Sequence, residues 1–163
     1  RELDAAGGLP ADDLAVIERE IRRVERSLQT FLDFARPPRP EKRPVDVGQA
    51  ATETLELIRG RAGKQGVTLA YRAPPAPVVV NADVGQVRQV LVNLALNALD
   101  AMPAGGTLDL AVREDSGHAE VTVRDTGPGV AADVRAKLFR PFVSTKDTGL
   151  GLGLVISKRI VED

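Results

Sequence analysis

The run Asn93-Leu94-Ala95-Leu96-Asn97-Ala98-Leu99-Asp100-Ala101-Met102 sets two carboxamides four residues apart on an otherwise apolar helix. Residues four apart share a helix face, and Asp100, three beyond Asn97, lies on much the same side. Buried amides without hydrogen-bond partners are costly, so this face must meet something polar. Two occupants suit it. One is a pair of neighbouring loops whose backbone the amides cap. The other is a hard cation such as Mg²⁺, which takes oxygen donors and shares its shell with phosphate and water. Spacing alone leaves both open.

Outward from this run, Asp83 with Gln86 three residues later forms a capping arrangement that opens the helix. The helix carries Val87, Val90, Leu91, Leu94, Leu96 and Leu99, and stops at Pro103, Gly105 and Gly106. Residues 107–113 and 120–124 read as strands, and Asp115-Ser116-Gly117-His118 between them makes an antiparallel hairpin. Upstream, Asp46 and Gln49 repeat the capping pair before a helix that decays into Gly60, Gly63 and Gly66. A strand over 67–71, a turn at Pro74, Pro75 and Pro77, and a short strand over 78–80 follow. Downstream come a short helix over 130–139, a loop over 140–148 and a last helix over 152–161. This order predicts an α+β fold, a two-layer α/β sandwich with helices on one face of a mixed sheet. Few strands stand against these helices, so one or two further strands are expected after Asp163 in a longer parent.

Before this part, Leu14, Ile17, Ile21, Val24, Leu28, Phe31 and Ala35 are spaced alternately three and four apart, with charges such as Glu18, Arg19, Glu20, Arg22 and Arg23 between them. That is the seam of a left-handed helical pair or bundle, and one helix cannot bury it on itself. A partner helix, from an upstream segment or another subunit, is expected to cover it. Pro37, Pro38, Pro40 and Pro44, interleaved with Arg39, Glu41, Lys42 and Arg43, stop the helix and form an extended connector, where the domain boundary is placed.

Composition narrows the classes. In 163 residues, 22 basic and 23 acidic side chains give a net charge of −1, without a basic tail or groove to attract nucleic acid or anionic lipid. No apolar run approaches the roughly 20 residues of a membrane span, and Arg1-Glu2-Leu3-Asp4 is neither a signal peptide nor an initiating sequence, so a piece of a longer chain is expected. Without cysteine there is neither a disulfide framework nor a thiolate nucleophile, and the single histidine, His118, excludes a multi-histidine metal cluster.

Three further stretches combine polar groups with backbone freedom. Asp125-Thr126-Gly127-Pro128-Gly129 follows a strand, and its carboxylate can accept from an exocyclic amino group while its glycines admit a flat ligand. Gly149-Leu150-Gly151-Leu152-Gly153 opens the last helix and offers free N–H groups of the kind that hold phosphate. It is neither a P-loop nor a dinucleotide fingerprint, for which the spacing is wrong. Arg140-Pro141-Phe142-Val143-Ser144-Thr145-Lys146 supplies two cations and two hydroxyls in a candidate phosphate-side lid.

In this order and spacing the four motifs resemble the catalytic, ATP-binding domain of the bacterial sensor histidine kinases, in the superfamily that also holds gyrase, a heat-shock chaperone and mismatch-repair ATPases. The short loop over 140–148 looks like that of the nitrogen-regulation type. The resemblance implies a partial second helix of the dimerisation and phosphotransfer hairpin at 1–36, a linker at 37–45 and the catalytic domain at 46–163. It implies ATP and Mg²⁺ as cofactors, with Asn93 and Asn97 as catalytic residues. On this resemblance Asn97 would ligate the metal and Asn93 would lie near the phosphates. Asp125, Gly127 and Gly129 would form the base pocket. Thr148, Gly149, Leu150, Gly151, Leu152 and Gly153 would form the phosphate loop, with Arg140, Lys146 and Asp100 as further contacts.

The likeness also implies transfer of the γ-phosphoryl to a histidine upstream of Arg1, since His118 lies on a hairpin turn without heptad context. The fragment should bind ATP without phosphorylating itself. A homodimer through the hairpin, a response-regulator partner and a cytoplasmic location, with a parent that an inner membrane can anchor, complete what the resemblance implies. Nucleic acid and membrane contact are not expected of the fragment. Two rival readings are a serine-directed anti-sigma or switch kinase module, and an inactive dimerisation module.

Overall fold

The computed structural model describes residues 10–144 and 149–163. In chain order the elements are α1 (Ala11–Ala35), β1 (Arg43–Asp46), α2 (Val47–Gln65), β2 (Val67–Arg72), β3 (Val79–Ala82), α3 (Val84–Ala101), β4 (Gly106–Asp115), β5 (His118–Asp125), α4 (Ala132–Arg135) and α5 (Gly153–Glu162). Aspartates start α2 and α3 as their spacing predicts. Asp46 accepts from the N–H groups of Gly48 and Gln49, and Asp83 from those of Gly85 and Gln86. The Gln49 side chain does not complete a capping box, because it donates forward to Glu53.

The strands form two sheets. β2, β4 and β5 make a mixed sheet in that order, β2 parallel and β5 antiparallel to β4. β1 and β3 pair separately as an antiparallel ribbon. β1 departs from the sequence expectation, since Arg43 and Pro44 read as connector. Pro44 is tolerated because this short ribbon is all edge, and Val45, 5 % exposed, ties the strand down. The helix read as ending among Gly60, Gly63 and Gly66 runs through the first two and stops at Gly66, whose φ of +69° closes it. Burial of Ile58 and Ala62 beside those exposed glycines outweighs a cost of about 1 kcal/mol per glycine. The helix expected over 130–139 is shorter, the four residues of α4.

The core lies between α2, α3 and the three-stranded sheet. Ala51, Leu55 and Ile58 of α2 and Leu91, Ala95, Ala98 and Leu99 of α3 pack on the alternating Leu108, Leu110 and Val112 of β4. Tyr71 of β2 donates to the carbonyl of Gly48, joining the sheet edge to α2. Ser116 and Gly117, with φ of +52° and +80°, turn the β4–β5 hairpin.

The seam of α1 does not pack on this core. Leu14, Ile17, Ile21, Val24, Leu28 and Phe31 are each 42–65 % exposed. Its C-terminal end is held instead: Arg159 of α5 donates to the carbonyls of Asp33 and Phe34 at 2.6 and 3.0 Å, and Phe34 meets Phe142 edge to face. Among the described residues, no helix is long and apolar enough to cross a membrane.

Candidate functional site

Asn93, Asn97 and Ala101 follow one another at four-residue intervals along one face of α3, about 6 Å apart in rise. Each end of this row meets a different motif. At Asn93 it meets the start of α5: the Asn93 Nδ2 donates to the hydroxyl of Ser157 at 2.9 Å, and a Cβ on Gly153 would lie 2.3 Å from the Asn93 Oδ1. At Ala101 it meets the loop after β5, where a Cβ on Gly127 would lie 3.0 Å from both the Cβ and the carbonyl oxygen of Ala101. Asn97 stands half-buried between the two glycine motifs.

The loop after β5 is built locally. Asp125 is exposed, and its Oδ1 accepts from the Gly127 N–H at 2.9 Å, which turns the chain back on itself. Thr126 exchanges hydrogen bonds with Thr107, its hydroxyl accepting from the Thr107 N–H and its own N–H donating to the Thr107 carbonyl. That fixes the loop to the first residues of β4. Gly129, with φ of +75°, has open space where a side chain would be. The second oxygen of Asp125 and the space at Gly129 suit a flat ring that carries an amino group.

The start of α5 differs from those of α2 and α3, because no side chain caps it. The first bond there is Ile156 N–H to Leu152 carbonyl, which among the described residues leaves the preceding N–H groups of the turn for an anion. Leu152, fully buried, and Ile156 anchor the turn, and Gly151 (φ +66°) passes so close to Val143 that a Cβ would lie 2.5–2.6 Å from its backbone. Leu150 and Gly149 are exposed. Arg140 is an exposed residue of the preceding loop; Lys146 and Thr148 lie outside the described residues.

Asp100 is drawn to the α2–α3 junction by an ion pair with Arg61. Among the described residues there is no group of three or more His, Cys, Asp or Glu side chains that could hold a metal. The donor set along α3 is thus two amides, enough to share a hard cation with an anionic ligand but not to hold one unaided. Sequence reasoning missed Ser157, a buried serine one turn beyond Gly153, and Ala101, whose small side chain lets the Gly127 loop approach.

Residues 82–163 match the family model of histidine kinase-, DNA gyrase B- and HSP90-like ATPases. The chain is 36 % identical over 159 residues to the sensor histidine kinase ZraS of Klebsiella oxytoca, covering 94 % of this chain and 34 % of that protein. It is 32 % identical over 149 residues to sporulation kinase A of Bacillus subtilis (strain 168), covering 91 % and 25 %. It therefore spans about a third or less of the length of these relatives. Among solved structures, full-length ShkA in complex with AMPPNP superposes with a TM-score of 0.78 at 35 % identity, over 95 % of this chain and 35 % of that one. The catalytic domain of the histidine kinase ThkA gives 0.68 at 28 %, over 76 % and 81 %. The two-layer α+β arrangement expected from sequence is the one these structures share. The chain belongs to the histidine kinase-, DNA gyrase B- and HSP90-like ATPase family, in the branch of the bacterial sensor histidine kinases.

Proposed function

We propose that the chain is the ATP-binding catalytic part of a sensor histidine kinase, which passes the γ-phosphoryl to a histidine on a helical hairpin for relay to an aspartate of a response regulator. The observation that carries this reading is the row Asn93, Asn97, Ala101 on α3, with the uncapped glycine-rich start of α5 at one end and the Asp125–Gly129 loop at the other. One elongated ligand with a ring at one end and phosphates at the other fits that layout, and the AMPPNP complex of ShkA supports it.

In this reading Asp125 accepts from the adenine amino group, and Gly127 and Gly129 leave room for the ring. The N–H groups of Gly149 to Gly153 and the first turn of α5 hold phosphate oxygens, with Arg140, Lys146 and Thr148 as further contacts. Asn97 offers its amide oxygen to Mg²⁺, and the triphosphate completes a shell that the protein's own donors cannot. Mg²⁺, when bound, neutralises charge on the triphosphate. Asn93 cannot act as a general base, because an amide does not take up a proton near neutral pH, so the site favours transfer to a protein over hydrolysis. His118 closes the β4–β5 turn, with its Nδ1 3.2 Å from the Ser116 carbonyl, and is not the acceptor.

The exposed seam of α1 fits a second hairpin helix and a homodimer, with 1–36 as hairpin, 37–45 as linker and 46–163 as catalytic domain, on the cytoplasmic side of any membrane that anchors the parent. Calorimetric titration with ATP, with and without Mg²⁺, tests the reading. Binding that strengthens with the metal is expected. Equal affinities overturn the role of Asn97, and absence of binding overturns the nucleotide reading.

A further inference from the structure

Ser157 is a buried hydroxyl that the nucleotide reading leaves without a task. It is 6 % exposed and accepts from the Asn93 Nδ2, 64 residues away in sequence, at 2.9 Å. Thr54 of α2, the other buried polar side chain of the described residues, donates back to the Ala50 carbonyl of its own helix, the usual outlet for a helical hydroxyl. Ser157 instead bridges two helices, and its partner is a residue on the candidate ligand-binding face.

A carboxamide has two unlike ends, an NH₂ that donates and an oxygen that accepts. With Nδ2 committed to Ser157, the oxygen is the end nearest the first turn of α5: a Cβ on Gly153 would lie 2.3 Å from Oδ1 and 3.1 Å from Nδ2. An oxygen there attracts a cation, or the water bound to one, and repels phosphate oxygens. The NH₂ end would do the reverse. The geometry points to Ser157 as a positioning residue of the nucleotide site, whose hydroxyl holds the Asn93 amide against α5 with its oxygen toward the first turn and so governs how much Mg²⁺ strengthens binding. This deepens the nucleotide reading above and rests on it.

Calorimetric titration of the whole chain with ATP, in Mg²⁺ and in chelator, tests the assignment in the wild type, Ser157→Ala, Ser157→Thr, Asn93→Ala and the Ser157→Ala/Asn93→Ala pair, with melting temperatures alongside. Ser157→Ala is expected to cut the affinity gained from Mg²⁺ about three- to tenfold, the scale of one hydrogen bond, and to leave metal-free binding within about twofold. Ser157→Thr, which keeps the hydroxyl, restores the gain. The double variant loses no more than Asn93→Ala alone. A role in packing alone would lower both affinities together with the melting temperature, and that result overturns the assignment. So does an unchanged Mg²⁺ gain in Ser157→Ala, or losses that add in the double variant; both leave the nucleotide reading standing. Absence of ATP binding, or of any gain from Mg²⁺, in the wild-type chain overturns the two together.

Discussion

Replacing Gly153 by alanine sets two effects of one methyl group against each other. Within a helix alanine is favoured over glycine by about 0.8–1.0 kcal/mol, and by less at a first helical residue such as this. Against that gain, the new Cβ would fall 2.3 Å from Oδ1, 3.0 Å from Cγ and 3.1 Å from Nδ2 of Asn93, too close to all three atoms. Moving the amide is easier than parting two helix backbones, and turning it breaks the bond to Ser157. One such bond contributes about 0.5–1.5 kcal/mol, and a polar group left unpaired in a half-buried site costs about 1–3 kcal/mol. The expected net is a loss of about 1–2 kcal/mol. Gly60 supplies the control. It is exposed in α2 with nothing within 4 Å of the place a methyl group would take, so Gly60→Ala should gain about 0.5–1 kcal/mol. Urea unfolding can be followed by circular dichroism and by Tyr71, the one tyrosine in a chain without tryptophan. Combining Gly153→Ala with Asn93→Ala removes the obstruction, and the pair should be no less stable than Asn93→Ala alone. Should Gly153→Ala gain stability as Gly60→Ala does, Asn93 does not occupy that space and the seating of α5 on α3 is wrong.

Three other outcomes are expected. Asp125→Asn should weaken adenine nucleotides by about 1.5–3 kcal/mol, the worth of a hydrogen bond to a charged acceptor, with an unchanged melting temperature because asparagine can still accept from Gly127; calorimetry checks it. N–H groups of Glu41, Gln86 and Gly85, with Arg43 nearby, hold the Asp83 carboxyl below its ordinary value of 3.8, so its stabilisation is full above that pH and is lost as pH falls through the lowered value. Asp83→Asn should accordingly flatten the acid limb of stability against pH and cost about 1 kcal/mol or less at neutral pH, read by urea unfolding across pH. Arg159→Ala should release the last turn of α1, seen as faster hydrogen exchange at the Arg36 N–H, which is bonded to the Leu32 carbonyl.

The parts of the fold legible in the sequence are those whose cause is local. Asp46 and Asp83 start their helices through N–H groups two and three residues away, and Ser116-Gly117 turns a hairpin by its own backbone preference. β1 was not legible, because the strand it pairs with, β3, lies more than thirty residues on, and its own Arg43 and Pro44 read as connector. Gly60 and Gly63 misled for the opposite reason: their local preference is real but burial of the residues beside them overrides it. At the candidate site the chemical types were legible and their seating was not, since Asn93 finds Ser157, and Arg159 finds α1, across long stretches of chain.

The motif glycines show what a sequence leaves merged. Gly129, at φ +75°, meets no other protein atom within 4 Å of the place a Cβ would take, so the fold itself needs it for its backbone conformation. Gly127 and Gly153 have no such φ and are needed because Ala101 and Asn93 stand where a side chain would go. Gly151 combines both demands, a φ of +66° and the backbone of Val143 at the position of its missing Cβ. These causes call for different remedies. A side chain at Gly153 can be accommodated by shortening Asn93, whereas at Gly129 only a residue that tolerates the left-handed region serves, and at Gly151 no change in a neighbouring side chain helps, because the obstacle is main chain.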